Sequence, residues 1–158
     1  GKSQVAEQLI AATGRPQRYI ATAQAWDDEM RAKIAKHRRQ RGLGWTTVEA
    51  PLDLTEVLAA AKPEEIVLLD CVTLWLSNLM MAERNIQTAC AELCTGLAHA
   101  PCPVIVVSNE VGQGITPDNA MARAFVKHQG DLNQELARLA QEVIFVTVGI
   151  AQTLKGRL

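Results

Sequence analysis

Gly1-Lys2-Ser3-Gln4-Val5-Ala6-Glu7-Gln8-Leu9-Ile10-Ala11-Ala12 opens the chain, and its reading decides the fold. Gly-Lys-Ser is the last part of the phosphate-binding loop G-x-x-x-x-G-K-[ST]. In that loop backbone N–H groups cradle phosphates, the lysine reaches the β- and γ-oxygens and the hydroxyl holds Mg²⁺. Val5, Leu9 and Ile10 follow at helical spacing, and Thr13-Gly14 with Pro16 beyond supply a helix stop. A helix whose first turn is the GKS aims its positive end at an anion. The N-terminal strand and the start of the loop are missing, and we expect them ahead of Gly1 in a longer chain.

Working outward, residues 18–22 read as a short strand ending at Ala23-Gln24. Asp27-Asp28 cap a helix over 29–39, with acids at its start and bases at its end, as the helix dipole favours. Residues 40–44 read as a basic turn, and 45–48 as a strand closed by Glu49. Asp53-Leu54-Thr55-Glu56 has the form of a capping box and starts a helix to about residue 62. Ile66-Val67-Leu68-Leu69-Asp70 is a continuous apolar run ending in an acid, the pattern of a parallel strand covered on both faces. Helices over 74–81 and 86–98 precede a second buried strand, 104–107, which ends at Ser108-Asn109-Glu110. A glycine-containing loop, 111–117, leads to a long helix over 119–140 and a last strand over 143–148.

Strands alternating with helices predict one α/β domain over residues 1–158, P-loop NTPase-like, with a mostly parallel sheet and helices on both faces. Ligands of such sheets sit at the carboxyl ends of the strands. That rule puts Thr22, Gln24, Asp70, Ser108, Asn109 and Glu110 on one rim, beside the start of the GKS helix.

Composition narrows the partners. Of 158 residues, 48% are apolar and 21% charged, and a net charge of −1 argues against a nucleic-acid or membrane surface, so a polyanion needs a local cluster. No apolar run reaches the roughly 18 residues of a membrane span, and no signal peptide or membrane anchor is visible. Cys71, Cys90, Cys94 and Cys102 lack the spacing of a zinc site and read as small core residues of a reduced, cytoplasmic protein.

Asp70 closes a Walker-B pattern and is a candidate Mg²⁺ ligand together with Ser3. No N-K-x-D base-reading motif is present, which argues against a signalling GTPase. His37 lies within Lys36-His37-Arg38-Arg39-Gln40-Arg41-Gly42. Surrounding cations favour a neutral imidazole, as a nucleophile requires, and attract a polyphosphate, while the helix end acts the other way. Met30, Ile34 and His37 also fall at i, i+4 and i+7, so spacing alone favours an imidazole edging an apolar stripe. His99 and His128 read as surface residues, and Gly112-Gln113-Gly114 suits close backbone approach.

With these residues laid out, the sequence resembles the bifunctional adenosylcobinamide kinase / adenosylcobinamide-phosphate guanylyltransferases of cobalamin biosynthesis over nearly its whole length. The resemblance rests on Gly1-Lys2-Ser3, on Tyr19 to Gln24, on Asp27-Asp28-Glu29-Met30 with Arg31, Ile34 and His37, and on Trp45 to Glu49. It continues through Leu68 to Thr73 with Asn78-Leu79, Ser108 to Ile115 with Pro117, and Asn133-Gln134 with Leu136-Ala137. It implies two reactions: phosphorylation of the aminopropanol hydroxyl of adenosylcobinamide by ATP or GTP, then transfer of GMP from GTP onto that phosphate through a guanylyl-histidine. The histidine matching the motif is His37, which reverses the reading from spacing. Gly1, Lys2 and Ser3 match the phosphate loop, and Thr22, Ala23 and Gln24 a nucleotide-contacting strand end. Arg38, Arg39, Gln40 and Arg41 match the segment that handles the nucleotide, Glu49 a carboxylate of the GTP site, and Asp70 an acid near the base or metal. A homo-oligomer, a trimer, is implied as well.

Two other readings share these residues: a P-loop small-molecule kinase without a histidine intermediate, and a non-enzymatic nucleotide-binding module.

Overall fold

The computed structural model describes residues 1–156, the side chain of Gln40 excepted. In chain order the elements are α1 (Lys2–Ala11), β1 (Gln17–Ala21), α2 (Asp28–Arg41), β2 (Trp45–Glu49), α3 (Leu54–Ala59) and β3 (Ile66–Asp70). They are followed by α4 (Val72–Met81), α5 (Ile86–Ala98), β4 (Val104–Val107), α6 (Ala120–Leu139), β5 (Val143–Thr147) and β6 (Ile150–Lys155).

Four strands form a parallel sheet in the order β2-β1-β3-β4. Ile66, Val67, Leu68 and Leu69 of β3 are all buried, because helices cover both faces at the centre of the sheet. Successive side chains of a strand point to opposite faces, and the core divides accordingly. On one face Ala6 and Ile10 of α1 pack with Tyr19, Ile66, Leu68 and Val107. On the other, Ile20, Val67 and Leu69 pack with Leu54, Leu58, Val72, Trp75, Leu93 and Leu132 from α3 to α6.

The expected last strand departs from the sequence reading. β5 does not join the sheet; it pairs antiparallel with β6, a strand the sequence reading did not include. The connection is the two-residue turn Val148-Gly149, with φ of 48° and 80°, and two positive φ values turn a chain directly back on itself. Gly1 sits against this turn. A Cβ on Gly1 would lie 2.9 Å from the Cα of Gly149, so the start of α1 and the hairpin tip approach more closely than any larger residue allows.

Two helix ends also differ. α2 runs through Arg41, so the expected basic turn begins only at Gly42, whose φ of 73° ends the helix. The capping box at Asp53 does not form: Asp53 occupies the N-cap of α3 without accepting a backbone hydrogen bond, and its carboxylate instead lies 3.8 Å from Arg84. α3 is correspondingly short, ending at Ala59 rather than near residue 62.

Candidate nucleotide site at the carboxyl rim of the sheet

Strand register sets the site. Glu49, Ala21, Asp70 and Val107 fall in one row across β2, β1, β3 and β4, at the carboxyl end of each strand. Neighbouring strands lie about 4.8 Å apart, so the row places Glu49 and Asp70 two strand spacings from each other. α1 packs over β3 and β4 with its first turn at this end, and Lys2 is close enough to act electrostatically on the Cys71 thiol.

At the centre of the rim, the Tyr19 hydroxyl donates to Asp70 Oδ2 at 3.0 Å. Burial, followed by the Asp70 charge, holds the Tyr19 phenol well above its usual range, so it stays protonated and remains a donor. Asp70 Oδ1 and the Ser3 hydroxyl have no hydrogen-bond partner among the described residues, which leaves two hard oxygen donors free. Among the described residues no group of three or more His, Cys, Asp or Glu side chains could hold a metal by itself. A cation here would therefore complete its shell with ligand oxygens, as Mg²⁺ does with phosphates.

α2 forms the other wall. Asp27 accepts the Met30 N–H at 2.7 Å and fixes its start, with Asp28 and Glu29 in the first turn and Arg38, Arg39 and Arg41 in the last. Met30, Ile34 and Arg41 are half-buried, while His37, Arg38 and Arg39 are exposed. The imidazole is therefore not part of a packed apolar stripe. The Arg41 guanidinium carbon lies 3.5 Å above the centre of the Tyr19 ring, and Arg38 reaches Glu49 at 3.7 Å. Two shallow basic cavities flank the helix end. One of about 290 Å³ is lined by Arg38, Arg39, Arg41, Gly42, Trp45 and Thr47. The other, about 450 Å³, lies between Ala25, Arg31, Ile34, Ala35, Arg38, Arg39 and Glu49. Sites of a few hundred Å³ suit small organic ligands.

Two residues of this cluster escaped the sequence reading. Tyr19 shares a face with Asp70 by strand alternation, a signal that was present. Glu7 stands four residues after Ser3, one helical turn away. Burial pushes the Glu7 carboxyl up, Arg41 and His37 pull it down and Asp70 pushes it up again, so it stands among the charged groups of both walls.

The other predicted residues divide. Ala23 and Gln24 are half-buried on the segment leading from the rim to α2. Thr22 is fully buried, with its hydroxyl donating to the Cys71 carbonyl and accepting the Cys71 N–H, so its side chain is committed to the scaffold. The side chain of Gln40 lies outside the described residues. At the end of β4, Gln129 and Asn133 of α6 bond Ser108, and the Asn133 amide donates to the Asn109 carbonyl, pinning the start of the glycine-containing loop. Within that loop Gly112 N–H donates to the Glu110 carboxylate at 2.7 Å. The four cysteines are free.

A parallel sheet, a GKS helix beginning at its carboxyl rim and an acid closing the central strand define a P-loop NTPase-like nucleotide-binding protein. The family model described as cobinamide kinase / cobinamide phosphate guanyltransferase matches residues 1–154. The chain is 40% identical over 159 residues to the bifunctional adenosylcobalamin biosynthesis protein CobP of Pseudomonas aeruginosa, covering 99% of this chain and 92% of that protein. It is 39% identical over 171 residues to the CobU protein of the same description from Escherichia coli, and 38% identical over 172 residues to that of Salmonella typhimurium. Each of these two alignments covers 98% of this chain and 94% of the relative. The chain belongs to the cobinamide kinase / cobinamide phosphate guanyltransferase family.

Proposed function

We propose that this protein phosphorylates adenosylcobinamide with ATP or GTP and then places GMP from GTP on that phosphate, through a guanylyl group carried by His37. The observation that supports the reading is that Tyr19 joins Asp70 to Arg41 at one rim, with Glu7 of α1 influenced by Arg41, His37 and Asp70. In this reading Lys2, Ser3 and Asp70 are one phosphate-handling wall, and His37 with Arg38, Arg39 and Arg41 the other.

In the first reaction the N–H groups at the start of α1 and the Lys2 ammonium hold the γ-phosphate. Ser3 and Asp70 are the residues that would hold Mg²⁺, and the ion would neutralise phosphate charge there. The substrate hydroxyl oxygen attacks the γ-phosphorus and releases its proton to solvent, the bond to the β–γ bridging oxygen breaks and the nucleoside diphosphate leaves.

In the second, a ring nitrogen of His37 attacks the α-phosphorus of GTP through its lone pair. A P–N bond forms, the α–β P–O bond breaks and pyrophosphate leaves. Negative charge grows on the leaving group, and each charge-assisted hydrogen bond from Arg38, Arg39 or Arg41 contributes about 1.5–3 kcal/mol. Glu49 supplies an acceptor for a guanine or ribose donor in the adjoining cavity, and Ala23, Gln24 and Gln40 complete the nucleotide's surroundings. An oxygen of the adenosylcobinamide phosphate then attacks phosphorus, breaks the P–N bond and returns the imidazole.

The whole chain acts as one domain in this reading. Exposed Val148, Ile150 and Leu154 on the β5–β6 hairpin support a homo-oligomer, taken as a trimer and checked by light scattering. No helix among the described residues is long and apolar enough to cross a membrane. Four free cysteines suit a cytoplasmic location.

The test supplies the protein with Mg²⁺, adenosylcobinamide and GTP labelled at the α- or the γ-phosphate. Both labels should reach the corrinoid, with His37→Ala losing the α-label and keeping the γ-label. Arrival of the γ-label alone in the wild-type protein would leave a kinase without a histidine carrier. Arrival of neither would overturn the reading.

A further inference from the structure

Tyr19 belongs to neither wall as derived above, yet it touches a residue of each. Its hydroxyl donates to Asp70 Oδ2 at 3.0 Å, and its ring lies under the guanidinium of Arg41 at 3.5 Å. Trp45 fixes the ring from the side, edge-on at 6.1 Å with an interplanar angle of 80°. The ring itself is buried, so its position is set by the sheet and not by solvent.

Helix α2, by contrast, has no buried residue among those described. Besides the Arg41 stack, its last turns are tied to the sheet by the Arg38–Glu49 pair, which is exposed and 3.7 Å long. Exposed pairs of that kind contribute little. A cation over the face of a buried ring contributes more, because the attraction grows with desolvation. A guanidinium carries five N–H donors, so one held over a ring can still donate to a phosphate.

We propose that Tyr19 is a positioning residue for both transfers: its hydroxyl orients Asp70, and its ring seats Arg41 and thereby the end of α2 that carries His37. The proposal rests on the two-reaction reading above for its activity arm and on the stack alone for its structural arm. The two functions of one side chain can be separated. Tyr19→Phe keeps the ring and the seat but removes the hydrogen bond to Asp70, whereas Tyr19→Leu removes both.

The structural arm uses the protein without nucleotide or metal. Trypsin cleaves after Lys36, Arg38, Arg39 and Arg41, so the rate of cutting there reports how firmly the helix end is seated. Tyr19→Leu should be cut about tenfold faster than wild type, and Tyr19→Phe within about twofold of it. The activity arm compares kcat for γ-phosphoryl transfer with the rate of guanylyl-histidine formation. Tyr19→Phe should lower the first about tenfold and raise its Mg²⁺ requirement, while lowering the second by no more than about twofold. Tyr19→Leu should lower both about tenfold or more.

If both variants are cut at the wild-type rate, Arg41 is not seated by the ring and the proposal falls. It falls equally if Phe and Leu depress the two transfers to the same extent, since the hydroxyl and the ring would then have no separate roles. Should Tyr19→Leu fail to fold, Arg41→Met removes the cation from the other side of the stack and must itself accelerate cutting. A wild-type protein that performs neither transfer refutes the proposed function and leaves the proteolysis comparison to judge the seat.

Discussion

The hydroxyl of Thr22 clasps the backbone of Cys71 at both of its polar groups, donating to the carbonyl at 2.7 Å and accepting the N–H at 2.9 Å. Asn78 adds to the clasp by donating to the carbonyls of Thr22, at 2.8 Å, and Pro51, at 3.0 Å. Removing the hydroxyl leaves the buried Cys71 N–H without a partner, at about 1–3 kcal/mol, while the Cys71 carbonyl keeps the Trp75 N–H at 3.2 Å. Thr22→Val should therefore lower stability by about 1–3 kcal/mol in denaturant unfolding, with Thr22→Ser retaining most of it. A hydroxyl that served the nucleotide directly would instead raise KM and leave stability unchanged.

Arg18 and Glu65 tie the start of β1 to the turn before β3. Their side chains are only 13% and 9% exposed, and the guanidinium meets both carboxylate oxygens, at 2.9 and 3.2 Å. Glu65 also accepts the Lys62 N–H at 2.8 Å. Removing one partner strands the other charge, so Glu65→Ala should cost about 3 kcal/mol. The pair with Arg18 lowers the Glu65 carboxyl below its ordinary value of 4.5. Its stabilisation is therefore complete above pH 4.5 and lost as pH falls through the lowered value, and the gap between wild type and variant should close over that acid range.

Glu7 behaves in the opposite sense. Burial raises its carboxyl above the ordinary 4.5, so the folded state binds the proton more readily than the unfolded chain. Stability then falls as pH rises from 4.5 through the raised value. Glu7→Gln removes that loss. Its melting temperature should exceed wild type at pH 7 and match it near pH 4.

The cysteines should be slow to react. Burial pushes the Cys90 thiol up to about 11 and raises Cys71, Cys94 and Cys102 as well. Thiolate is the reacting form. A disulfide reagent at pH 8 should therefore modify the folded protein slowly and all four thiols quickly once denaturant is added.

Much of this architecture was legible because burial writes itself into composition. Residues 66–69 and 104–107 are apolar without alternation, and both strands fall where the sequence places them, although β4, at the sheet edge, is half-buried except at Val107 rather than fully covered. Helix α5 likewise matches the expected 86–98. The end of α2 was less legible, because Arg39 and Arg41 carry no apolar period and the helix extends over solvent until Gly42 stops it. Strand β6 was missed because Ile150 and Leu154 are exposed and mixed with polar residues, and pairing rather than burial makes it a strand. Asp53 and Glu56 have the spacing of a capping box, but spacing does not fix a rotamer, and the carboxylate turns toward Arg84. The same limit applies to the site. GKS, Asp70 and His37 could be singled out by type and position, whereas Tyr19 meets Asp70 across 51 residues of chain, and alternation gives their common face without the β1–β3 register that brings them together.

The most direct test of the account is a pulse and chase on the protein-bound intermediate. The protein is incubated with Mg²⁺ and α-labelled GTP without corrinoid, freed of nucleotide, and then given adenosylcobinamide phosphate. The account predicts an acid-labile, base-stable label on His37, absent in His37→Ala, that passes to the corrinoid in a single turnover. Guanylylation of the corrinoid by His37→Ala at the wild-type rate, with no label ever on the protein, would contradict it.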